Sequence, residues 1–173
     1  MLVRQIISNA LRFVFLVLLQ VLILDKVYLG GYINPYLYIY FILALPFIIP
    51  GWLLLLLAFL LGISIDSFNN SYGIHTSATL LMAFFRPFII RAMASSEDAP
   101  APGTRPSIKM KGFKWYLYYS IILIAIHHFT LFFIEIFRFS EFFSTFFRAV
   151  LSITFTMLLV VISEYLGTGR TKK

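Results

Sequence analysis

Long runs of apolar residues, parted by short polar breaks, set the rhythm of this chain. About 20 such residues on a helix cross the hydrocarbon core of a bilayer, and fewer suffice where the membrane is thin. The first run predicts a helix over residues 6–24, with Gln20 as its one strongly polar interior side chain. "DKVYLGGYIN" (25–34) reads as a turn. Asn34-Pro35 then opens a second helix over 35–49, because Asn caps a helix and Pro suits its first turn. Pro46 bends that helix and Pro50-Gly51 breaks it. Further helices are expected over 52–65, 74–90, 114–134 and 146–166. "ASSEDAPAPGTRPSIKMKG" (94–112) is too rich in Pro, Ser and charge to be a span, and predicts a mobile cytoplasmic loop at about 93–113. The pattern implies an all-α fold: one integral membrane domain over 1–173, a polytopic bundle of about six transmembrane helices.

Composition makes lipid the solvent. The chain is 61% hydrophobic and 12% charged, with mean hydropathy +0.92, whereas a soluble domain carries roughly a quarter charged residues. Too little polar surface remains to clothe a globule in water. Cysteine is absent, which excludes disulfides, thiolate metal sites and cysteine nucleophiles. A net charge of +7 could suggest nucleic acid, but the cations sit at the ends of apolar runs and in loops, and no aromatic-rich soluble module is present. With the N-terminus inside, only Lys26, Arg138 and Arg148 of the 14 Lys and Arg residues fall outside. That bias predicts that both termini lie in the cytoplasm. Five spans with one re-entrant piece would strand the basic 105–114 cluster or the basic tail on the far side. The start imitates a signal peptide but lacks a small-x-small cleavage site before "DKVYLGGY", so it is expected to remain as the first helix.

The polar residues inside this apolar text are the candidates for function. In "LLGISIDSFNNSYGIHTSATLL" (60–81), Asp66 and His75 flank a turn at the outer surface. Asp66 is either solvated, or bonded to backbone donors at the start of the next helix, or part of a packed polar contact. A metal site there lacks an obvious third ligand. His127 and His128 are intramembrane polar candidates, as is Gln20, and Glu135 lies seven residues past His128 on the same helix face. Adjacent histidines point about 100° apart, so they do not easily share one ligand. Arg86 is expected to snorkel towards lipid phosphates, or to pair with a helix C-terminus or a partner. "EIFRFSEFFSTFFR" (135–148) is amphipathic: Glu135, Arg138 and Glu141 recur at spacings of three, in a stretch suited to the outer interface or to a partner protein. Lys109, Lys111 and Lys114 form a basic strip for anionic headgroups or a cytoplasmic partner.

The stretch from residue 19 to 91 resembles the rod-shape-determining membrane protein family MreD, and most of all its members from Bacteroidota. The likeness rests on Gly62, Asp66 four residues later, a short polar turn, then Gly73-x-His75 and an apolar helix. The second half fits by length and span pattern. The resemblance implies a non-enzymatic subunit of the cell-elongation machinery, supporting cell shape and peptidoglycan synthesis. Its partners would be membrane lipids, an MreC-like periplasmic-facing protein, an MreB-like filament, and a RodA-like polymerase with its transpeptidase. No cofactor or metal is implied. The family's fold is similar to the substrate-binding subunits of energy-coupling-factor vitamin transporters, so a small-molecule-binding transport subunit is the alternative. Such subunits carry Ala-x-x-x-Ala on the first helix, and "SNALRFVFLVLLQ" has no such pair. An intramembrane enzyme would need groups converging on one reacting centre, and the sequence offers candidates without a recognisable constellation.

Overall fold

A computed structural model describes residues 2–27, 32–94, 101, 103–136 and 141–168, with side chains for those between 6 and 167. The regular elements among them are all helices: α1 (Leu2–Leu22), α2 (Tyr40–Leu43), α3 (Gly51–Asn69), α4 (Ile74–Ala92), α5 (Ile108–Lys111), α6 (Phe113–Ile136) and α7 (Phe142–Thr168). Four of these, α1, α3, α6 and α7, are long and apolar enough to cross a membrane. α4 matches α3 in length at 19 residues, but His75, three hydroxyls and two arginines dilute its apolar character.

From α3 onward the long helices alternate in direction, and α1 runs parallel to α3. At one end Asn69 of α3 donates to Asp25, just past α1, at 2.9 Å, and Glu135 of α6 meets Arg148 of α7 at 3.3 Å. At the other end Trp115, entering α6, donates to the carbonyl of Met93, just past α4, at 3.1 Å. α3 packs on α4, α4 on α6 and α6 on α7.

The helix expected over 35–49 does not form. A 3-10 turn (Leu37–Ile39) and the single turn of α2 are its only regular parts, and residues 36–45 are all buried. Residues 34–40 run beside α7: Asn34 N–H donates to Ser152 Oγ (3.0 Å), Tyr36 N–H to Thr156 Oγ1 (3.0 Å), and Tyr40 OH to Glu164 Oε2 (2.7 Å). Ser152 and Glu164 stand about 18 Å apart at the helical rise per residue. The chain is therefore threaded through the bundle rather than coiled within it. Pro35, Pro46 and Pro50 remove backbone donors and push Asn34, Leu45 and Ile49 away from helical angles.

Non-helical backbone at membrane depth survives only where protein covers it and supplies its hydrogen bonds. Here the neighbouring helices supply them. Gln20 of α1 accepts from Tyr38 N–H (3.3 Å) and donates to Pro35 O (3.0 Å). Tyr119 OH of α6 donates to Leu43 O (3.1 Å), and Arg12 of α1 reaches Ala44 O (3.4 Å). Arg86 of α4 donates to Leu45 O (2.6 Å) and Pro46 O (3.2 Å).

Residues 95–100 and 102 of the expected loop lie outside the described residues. From Gly103 onward that loop is packed: Phe47 N–H donates to Thr104 O (2.9 Å), Pro106 and Ser107 are buried, and Ser107 caps α5 by accepting from Met110 N–H (3.2 Å).

Candidate functional site: the threaded segment and its polar contacts

Asp66 sits in the last turn of α3, and the chain leaves that helix through left-handed backbone at Asn70, Tyr72 and Gly73. Gly73 occupies the capping position of α4 and has no side chain to cap with. Asp66 does it instead. Its carboxylate accepts from His75 N–H (3.1 Å), Thr76 N–H (2.9 Å), Thr76 Oγ1 (2.5 Å) and Ser71 Oγ (2.6 Å). These are donors that a helix start otherwise leaves unmade, and the helix dipole adds to the attraction. Of the roles open to Asp66 in the sequence, the structure places it on the backbone donors. Asp66→Ala is expected to lower stability by about 2–4 kcal/mol, and Asp66→Asn by less, as measured by thermal unfolding in detergent.

The three histidines of the chain meet at the threaded segment. Tyr38 OH lies 3.0 Å from His75 Nδ1 and 2.6 Å from His127 Nε2. The Tyr36 ring packs edge-on against His75 and His127, with ring centroids 5.2 and 6.0 Å away, and tilted against His128 at 5.4 Å. His128 bonds Thr156 Oγ1 of α7 through Nε2 (3.0 Å) and Ile124 O through Nδ1 (3.0 Å). His127 and His128 thus share the Tyr36 ring but no hydrogen-bond partner. The line His75–Tyr38–His127 consists of groups that can each donate or accept. His127 Nδ1 at its end is buried without a partner among the described residues. No group of three or more metal-capable side chains is placed to hold an ion among those residues.

Arg86 corrects an expectation. Instead of reaching lipid phosphates it is 1% exposed, and it also donates through Nε to Tyr119 OH at 2.9 Å. The carbonyls of Leu45 and Pro46, in the broken helix, supply the acceptors that draw it inward. Arg105 binds Glu164 with both terminal nitrogens, at 2.9 and 3.3 Å. Partial burial works against its charge, but the neighbouring Tyr40 and Glu164 outweigh this and hold its pKa above the usual arginine value. Gln20 also donates to Asp25 at 2.7 Å.

The outer candidates sit apart from this interior. Glu135 pairs with Arg148, which also lies 4.6 Å over the Phe132 ring. Glu141 is exposed just before α7, and its carbonyl accepts from Thr145 Oγ1 at 2.9 Å. Arg138 lies outside the described residues. Lys109 and Lys114 are exposed, and Lys111 is half-buried at the end of α5. Tyr36 and Tyr38, the hub of the interior contacts, were missed by the sequence reading. Their signal is the spacing of Tyr36, Tyr38 and Tyr40 by two, which suits extended chain and not a helix face.

An all-helical bundle with four long apolar helices, in a chain this poor in charge, defines a helical membrane protein. No family model matches the chain, and no curated protein or solved structure does either.

Proposed function

We propose that the chain is a non-enzymatic scaffold subunit of the bacterial cell-elongation complex, an MreD-like protein of the inner membrane with both termini in the cytoplasm. In this reading it crosses six times, five as long helices and once as the threaded segment 34–47, and the bundle is kin to the vitamin-transporter subunits that the MreD family resembles. The observation that carries the proposal is the engagement of interior polar groups. Gln20, Arg86, Tyr119, Ser152 and Thr156 bind the backbone of the threaded segment and lock the helices around it. Such cross-bracing makes a stiff platform for partner helices.

The outer end supplies a contact surface. Phe143 is 85% and Phe147 60% exposed, beside the Glu135–Arg148 pair. Large aromatics next to charges are the residues that anchor protein contacts. An MreC-like partner binds there, while the RodA-like polymerase, its transpeptidase and an MreB-like filament meet other faces. The expected result is co-purification with an MreC-like protein. Phe143→Ala with Phe147→Ala should weaken it by about 2 kcal/mol, a factor of about 30 in affinity, without loss of membrane insertion. A purified bundle that carries a stoichiometric vitamin-like ligand and ignores MreC would overturn the proposal in favour of a transport subunit.

A further inference from the structure

Two clefts border α1, and they differ in charge. The one between α1 and α3, about 810 Å³, is lined almost wholly by apolar side chains. The other, about 740 Å³, lies between α1 and the end of α7, with Arg12 and Arg105 both on its wall. Leu11, Phe15 and Leu166 flank these arginines and are 66%, 62% and 73% exposed. That cleft therefore opens on the side of the bundle that faces lipid.

Its charges do not balance. Arg105 and Arg12 have one carboxylate between them, Glu164, which binds Arg105 directly and is near enough to act on Arg12 as well. Arg12 touches only neutral groups among the described residues, Asn9 Oδ1 at 3.2 Å and Ala44 O at 3.4 Å. An arginine in contact with hydrocarbon is unfavourable unless an anion or water reaches it. Arg12 lies six residues beyond Ile6, where the spanning stretch of α1 begins. That is about 9 Å along the helix, a depth that an arginine side chain and a lipid phosphate can bridge between them.

We propose that this cleft holds one anionic phospholipid from the surrounding leaflet, its phosphate on Arg12 and an acyl chain along Leu11, Phe15 and Leu19. The guanidinium presents its donors in a fork suited to phosphate oxygens. A zwitterionic lipid offers the same phosphate but brings its own cation beside Arg105, and is disfavoured for that reason. The α1–α3 cleft accepts acyl chains without selecting a headgroup.

The test uses the full chain in mixed micelles of equal phosphatidylglycerol and phosphatidylcholine, with retained lipid counted by native mass spectrometry. One phosphatidylglycerol per chain is expected in preference to phosphatidylcholine. Arg12→Gln should lower its retention at least about tenfold, the worth of one charge-assisted hydrogen bond. Because Arg12 also holds Ala44, a second variant leaves it in place. Ser8→Glu, on the same wall, sets a carboxylate one turn before Arg12 and should displace the lipid by competition, with the thermal unfolding of the bundle kept. Arg91→Gln removes an exposed cation of α4 and should change nothing. Equal retention of both lipids overturns the proposal, as does an equal loss in Arg91→Gln. Displacement of the lipid by inorganic phosphate alone would make this a soluble-anion site and overturn it as well.

Discussion

Gly62→Val is expected to keep α3 and α4 from docking, leaving little monodisperse protein after extraction. A Cβ at position 62 would fall on the Cα of Thr76, 2.9 Å from its nitrogen and 3.1 Å from the carbonyl oxygen of His75. All three are backbone atoms, so no rotamer change relieves the overlap. The start of α4 must move away, and its movement breaks the contacts from Asp66 to Thr76. Overpacking costs about 1–3 kcal/mol and loss of the cap about 2–4 more. Their sum rivals the whole margin of a typical domain, about 5–15 kcal/mol. Gly62→Ala should act in the same direction with smaller effect. Size-exclusion profiles and thermal unfolding read both variants, and a valine protein that unfolds at the wild-type temperature would refute the account.

The second large effect belongs to Arg86. Arg86→Leu leaves Leu45 O, Pro46 O and the Tyr119 hydroxyl without their donor. Hydrogen bonds from a charged group are worth about 1.5–3 kcal/mol each, and the Leu45 and Tyr119 acceptors are buried, so a loss of about 4 kcal/mol is expected. Arg86→Lys should recover less than half of it. A single ammonium cannot span Tyr119 on one side and two carbonyls on the other as a planar fork does. Thermal unfolding gives the magnitude. Limited proteolysis should show new cutting near residues 44–50, and unchanged resistance there would count against Arg86 as the clamp.

Five of the six expected helices stand within a few residues of where hydrophobic runs placed them. The third shows why ends are harder to read. It was expected to stop at residue 65 because Asp66 seemed to close it, yet α3 continues to Asn69. Asp66 faces inward to serve α4, and its charge is answered by donors that a linear reading cannot bring near.

The run at 35–49 misled for a different reason. A short apolar stretch reads alike whether it is a buried helix or a buried extended chain, and Asn34-Pro35 imitates a helix start. What decides the outcome is remote. Ser152, Thr156 and Gln20 are ready to bind a bare backbone, so a helix is not needed there. Arg86 was misjudged along with it, since its acceptors exist only because that helix is absent. The polar candidates at 66, 75, 127 and 128 were legible individually. The grouping of the three histidines around Tyr36 and Tyr38 was not, because it depends on a segment whose path the sequence disguises.

The threaded segment also constrains how the protein is made. Its backbone is answered partly by Gln20, already synthesised, and partly by Ser152 and Thr156, which follow Asn34 and Tyr36 by 118 and 120 residues. A nascent chain halted before α7 therefore leaves the N–H groups of Asn34 and Tyr36 without these acceptors, a cost in hydrocarbon. The bonding of a segment made early in synthesis is thus completed by a helix made more than a hundred residues later.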